Sequence, residues 1–209
     1  MTSTSALTVD QCLERARQLA DSGQRRVLGI AGPPAAGKGV VTDRVLEALG
    51  GAAVQVPMDG FHLAEAELHR LGRHERKGAP DTFDAAGYVA LLRRIRAAEE
   101  TVYAPEFHRE VEESYAGSIA VPPDVPLVIT EGNYLLLDQG PFAAVRDLLD
   151  EAWFLVPDDR ARVERLVRRH VRHGRSPEAA REWVQRSDER NAELIARTRS
   201  RADVLVDPG

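Results

Sequence analysis

The segment Gly32-Pro33-Pro34-Ala35-Ala36-Gly37-Lys38 sits between two apolar patterns of different period. Before it, Val27-Leu28-Gly29-Ile30-Ala31 reads as a short strand buried on both faces. After it, Val40, Val41, Val45, Leu46 and Leu49 recur at helical spacing until Gly50-Gly51 stops the helix. A strand, a tight glycine-bearing loop and a helix in that order constrain the fold more than any other feature. Glycine lets the loop backbone turn successive N–H groups toward an anion, and the helix presents its positive dipole end to the same place. Lys38 adds a mobile charge for terminal phosphates. The expected polyphosphate cradle is therefore Gly32, Pro33, Ala35, Ala36, Gly37, Lys38, Gly39 and Val40.

The loop departs from its pattern at one place. The hydroxyl residue that normally follows the lysine and reaches Mg²⁺ is Gly39, and Val40 comes next. Thr42 lies one turn further on, too far along the helix to substitute. Either carboxylates elsewhere hold the metal, or catalysis is weak and the chain is a nucleotide-binding sensor.

The 209 residues suffice for one domain with a substantial core. A formal charge of −5 argues against nucleic acid as the main partner. The single Cys12 excludes an intrachain disulfide and suits a reducing cytoplasm. The first twenty residues lack the apolar core of a signal peptide, and no run approaches membrane-spanning length. Lys38 and Lys77 are the only lysines, arginine supplying the rest of the 28 basic residues. Lys77 is thus either a required compact cation or a solvated loop charge.

Further strands are expected at 52–56, 126–132, 152–156 and 203–206, with helices at 8–20, 63–71, 84–98, 141–149, from 158, and 177–199. Residues 69–82 read as a polar flap and 99–125 as an irregular insert. The sum is a doubly wound α/β domain with five parallel strands and helices on both faces. In such sheets ligands sit beyond the carboxyl ends of the strands. Asp59, after the second strand, is placed there as a general base, a metal contact or a helix cap. Glu131, ending the third strand, is a metal ligand or an ordinary strand-end acid. Arg165, Arg168, Arg169 and Arg172 lie on one side of a helix that ends at Gly174. They suit a lid closing on triphosphate, or a solvated face.

Together, the loop, Asp59-Gly60-Phe61-His62, Arg76 to Asp84, Glu131-Gly132-Asn133-Tyr134, Arg168 to Ala179, and Ser187-Asp188-Glu189-Arg190-Asn191 through Asp203 resemble the P-loop small-molecule kinases. The likeness is to the group containing uridine kinase, phosphoribulokinase and bacterial pantothenate kinase, above all to its fructose-transport-system-kinase-like branch. It runs from Leu28 to Val206 and implies a single P-loop NTPase kinase domain over 1–209, with a substrate insert near 69–125 and a helical lid near 165–178. It implies ATP and Mg²⁺, γ-phosphoryl transfer to a hydroxyl of a sugar, nucleoside or pantothenate-like metabolite, and a homodimer as one assembly open to it. By the same likeness Asp59 and Lys38, with Arg169 and Arg172 in the lid, serve catalysis, and Glu131 and Asp59 the metal. His62, Arg76, Lys77, Phe83, Tyr103, His108, Arg109 and Tyr134 would line the acceptor pocket. His108 stands where relatives usually carry aspartate, which leaves the specificity open.

Overall fold

The computed structural model describes residues 6–209. In chain order the strands are β1 (Arg26–Ala31), β2 (Ala53–Gln55), β3 (Val102–His108), β4 (Glu113–Val121), β5 (Leu127–Gly132), β6 (Glu151–Leu155) and β7 (Val204–Val206). The helices are α1 (Val9–Ala20), α2 (Lys38–Leu49), α3 (Glu65–Arg70), α4 (Ala85–Ala97), α5 (Asp159–Arg172), α6 (Pro177–Trp183) and α7 (Glu189–Ala196). Five strands form one parallel sheet in the order β2-β5-β1-β6-β7. β1 occupies the centre, and the chain winds outward from it on both sides, as the doubly wound pattern requires.

Strand alternation divides the core into two layers. Leu28, Ile30, Leu127, Ile129, Trp153 and Leu155 pack with Cys12, Ala16 and Ala20 of α1 and Val41 and Val45 of α2. Val27, Ala31, Val128, Ala152 and Phe154 belong to the other layer, with Tyr88, Leu92 and Ile95 of α4. Helices thus cover both faces, and the carboxyl ends of β1, β2 and β5 open toward the same edge.

Four local expectations are corrected. Residues 99–125 are not irregular: β3 and β4 pair as an antiparallel hairpin outside the main sheet. A register shift between Ala104 and Glu106 breaks the alternation of β3, and β4 is exposed over most of its length, so neither strand carries a clear two-residue hydrophobic period. The helix expected over 177–199 is interrupted by a π turn at Val184–Asp188. Residues 141–149 form two 3₁₀ segments, Gly140–Ala144 and Arg146–Leu148. Asp59 caps no helix, because α3 starts only at Glu65, with Ala64 before it, and Asp59 sits in a separate 3₁₀ turn, Met58–Phe61.

Candidate active site

Three residues of the phosphate loop take positive φ, Gly32 at +157°, Ala35 at +60° and Gly37 at +94°. Gly37 is the residue before α2, so the turn into the helix is made where a side chain costs most. Arg165 of α5 donates from Nε to the Ala35 carbonyl at 3.1 Å, fastening α5 to the loop. Lys38 Nζ donates to the carbonyls of Gly32 at 3.0 Å and Pro33 at 3.2 Å, and to Asn133 Oδ1 at 2.7 Å. Burial pushes the Lys38 ammonium below its ordinary pKa, while Glu131 and Asp59 pull it back up. The hydroxyl of Thr42 donates to the Lys38 carbonyl at 3.0 Å and is buried, so it does not replace the one missing at Gly39.

Beyond the loop opens a cleft of about 960 Å³ that brings together Lys38, Asp59, Glu131, Asn133, His62, Lys77, Phe83, Arg109 and Arg169. Close backbone approaches build its wall. A Cβ on Gly132, at the end of β5, would lie 2.6 Å from Met58 Cβ, and one on Gly60 would lie 2.3 Å from the Pro105 carbonyl oxygen. Glycine at these two positions lets the Asp59 turn press against β5 and the β3–β4 hairpin close down on that turn.

The carboxyls of Asp59 and Glu131 act on one another electrostatically. Burial raises the Glu131 pKa to about 7, the neighbouring Asp59 adds to this, and Lys38 opposes it. Asp59 Oδ2 accepts from Arg109 Nη2 at 3.1 Å. His62 donates from Nδ1 to the Asp59 carbonyl at 2.8 Å, with its ring 4.0 Å from Phe83 and 4.6 Å from Phe107. Burial lowers its pKa, Asp59 opposing. Lys77 is no solvated charge: its Nζ donates to the Glu112 carbonyl at 2.6 Å and to Glu65 Oε2 at 3.2 Å. On the lid side, Arg169 faces the cleft, and burial lowers its pKa against the pull of Asp188. His170 Nε2 pairs with Asp188 Oδ2 at 2.8 Å, and Arg175 lies 4.0 Å over the Trp183 ring.

Several expected site residues lie elsewhere. Arg172 is exposed, because the inward side of α5 advances by fours through Arg165, which meets the phosphate loop, to Arg169 and then His173 just past the helix, which line the cleft. Tyr103 is 59% exposed, since its neighbours Val102 and Ala104 take the inward positions of β3. His108 lies tilted against Tyr115, ring centroids 4.6 Å apart, and faces Glu106, leaving Phe107 to face the cleft. Arg76 pairs with Asp81 at 2.6 Å. Tyr134 is buried and donates to the Gly78 carbonyl at 2.5 Å, supporting Phe83 edge-on. Gly32 and Pro33 contribute carbonyls to Lys38 and do not line the cleft. Sequence reading gave no role to the cleft residues Glu65, Glu112, His170, Trp183 and Asp188. The matching segments Arg168 to Ala179 and Ser187 to Asn191 pointed toward the side that holds His170 and Asp188.

A phosphate loop at the head of a doubly wound parallel sheet, with two carboxylates at neighbouring strand ends and an arginine of α5 lining the same cleft, defines a P-loop kinase. Residues 27–209 match the Phosphoribulokinase / Uridine kinase family, and the chain belongs to it. An ATP-dependent kinase-like protein of Aspergillus versicolor is 35% identical over 162 residues, 73% of this chain and 94% of that one. A crystal structure named "putative fructose transport system kinase", from Silicibacter sp. TM1040, superposes with TM-score 0.86 at 32% identity, covering 95% of this chain and 98% of the other. Phosphoribulokinase from Rhodobacter spheroides shares the fold at TM-score 0.65 and 16% identity, over 88% of this chain and 70% of that one. The protein is an ATP-dependent kinase of small molecules.

Proposed function

We propose that the protein moves the γ-phosphoryl group of ATP to a hydroxyl of a small metabolite, a sugar, nucleoside or pantothenate-like alcohol, in the cytoplasm. The observation that carries this reading is that Asp59 and Glu131 share one cleft with Lys38 of the phosphate loop. In it the loop amides and Lys38 hold the β- and γ-phosphates, and Arg169 approaches from the lid side. The acceptor hydroxyl gives its proton to the Asp59 carboxylate as its oxygen bonds to the γ-phosphorus. The bond to the bridging oxygen breaks, and ADP leaves with that electron pair. Arg109, already on Asp59, holds the carboxylate in position.

The donor set fits a divalent cation. Burial, with the second carboxylate Asp59 beside it, raises the Glu131 pKa against the pull of Lys38 and Arg109, a pairing of acids that a bound cation would relieve. Glu131 and Asp59 would hold Mg²⁺, which supplies charge neutralisation on the transferring phosphate. The test is a panel of hydroxylated metabolites incubated with Mg-ATP. Asp59→Ala abolishes transfer while nucleotide binding survives; full turnover in that variant removes Asp59 as the base.

A further inference from the structure

Glu65 and His69 stand four residues apart on α3, one turn above the other on the same side. Gly72, at φ +65°, reverses the chain after the helix, and the 3₁₀ turn His74–Arg76 returns His74 to the same place. His74 Nδ1 touches Glu65 Oε1, and His69 Nε2 lies 3.5 Å from that same oxygen. The two imidazoles are stacked with centroids 4.1 Å apart and planes 16° from parallel. One donor atom from each residue falls within 4.8 Å of the others.

From this convergence we infer that Glu65, His69 and His74 form a binding site for a zinc-class divalent cation at the outer end of the cleft. Two imidazole nitrogens and one carboxylate oxygen suit Zn²⁺ and its neighbours in the first transition row, whereas Mg²⁺ prefers oxygen alone. Metal–ligand bonds of ~2.0–2.2 Å require the two stacked rings to turn about their side-chain bonds so that their nitrogens converge, a movement open to exposed side chains. His69 is 61% and His74 44% exposed, so water reaches a fourth position. The carboxylate is prepared for the role. Lys77 holds its Oε2, leaving Oε1 as the oxygen that faces both rings, the arrangement expected of a ligand oriented from behind. The Lys77 charge is answered by Glu112, whose carbonyl it also contacts. A cation here ties α3 to the turn that precedes Lys77, and through Lys77 to the β3–β4 hairpin, beside a cleft that Glu65, His74 and Lys77 line.

Zn²⁺ alone is titrated calorimetrically into the full chain, freed of any affinity tag and without nucleotide, so the outcome is independent of which acceptor the kinase uses. One equivalent binds, and His69→Ala and His74→Ala each weaken it about tenfold or more. His173→Ala, on the lid, leaves it unchanged, and excess Mg²⁺ does not compete. Unaltered melting of the His69→Ala protein without metal shows that this exposed position does not carry the fold. Absence of binding, binding unaffected in the His69→Ala/His74→Ala double variant, or displacement by Mg²⁺ overturns the site.

Discussion

Arg109 Nη2 lies 3.1 Å from Asp59 Oδ2, so a residue next to the β3–β4 hairpin grips the carboxylate assigned as the base. The pair is half-open to solvent, with Arg109 53% and Asp59 27% exposed, so its contribution to stability is under ~1 kcal/mol. Its importance lies in position. Arg109→Ala should raise the acceptor KM about tenfold and lower kcat less than Asp59→Ala does, leaving the ATP KM unchanged. Steady-state kinetics with the acceptor found in the panel measure this; equal acceptor KM values would remove Arg109 from the acceptor site.

The Lys38 ammonium spends all three protons on Gly32, Pro33 and Asn133. Asn133→Ala leaves one buried proton unpaired, which should cost ~1–2 kcal/mol in the nucleotide-free protein. An incoming phosphate satisfies that proton. The rise in melting temperature produced by ATP should therefore be larger in Asn133→Ala than in the parent protein, as thermal melts with and without ATP would show.

Burial and Asp59 raise the Glu131 pKa from the ordinary carboxylate value of 4.5 to about 7. The folded state then binds this proton more tightly than the unfolded chain. The associated stability is complete below pH ~4.5 and is lost as pH rises through about 7. Glu131→Gln removes the penalty. Without metal it should be more stable than the parent protein at pH 8, with the advantage shrinking as pH falls toward 5. It should also lose phosphoryl transfer, and melts across pH set beside activity assays read both effects.

A Cβ on Gly39 meets nothing within 4 Å. Gly39→Ser should fold normally and gain ~0.5 kcal/mol from helix propensity. If Glu131 and Asp59 suffice for the metal, the added hydroxyl lowers the Mg²⁺ concentration giving half-maximal rate but changes kcat less than about twofold. A rise in kcat of a hundredfold would instead mark the natural protein as a weakened catalyst.

Gly60 lies against the Pro105 carbonyl, where a Cβ would approach to 2.3 Å. Gly60→Ala should cost ~1–3 kcal/mol and displace the hairpin from the Asp59 turn. Activity should then fall more than nucleotide affinity, because the phosphate loop does not touch this contact. Nucleotide binding measured beside turnover separates the two.

Legibility followed the reach of the signals involved. The phosphate loop, the five parallel strands and the rim positions of Asp59 and Glu131 are set by local periodicity and by the rule that ligands gather at strand ends. The β3–β4 hairpin was illegible because a bulge interrupts one strand and the other buries almost nothing. Of the arginines on α5, periodicity grouped Arg165, Arg168, Arg169 and Arg172 together, whereas the cleft admits Arg169 alone among them and the phosphate loop takes Arg165.

By itself the chain's order of residues determined a nucleotide-holding loop, a sheet to carry it and the acids that meet it, because each depends on neighbours a few positions away. Tertiary structure decided which side chains face the cleft. Phe107 rather than Tyr103 or His108, Lys77 tied to Glu112, Arg109 on Asp59 and Asn133 on Lys38 all depend on how a separate hairpin and flap settle against the sheet. Those contacts join residues up to 95 positions apart, where no pattern of near neighbours records the distance.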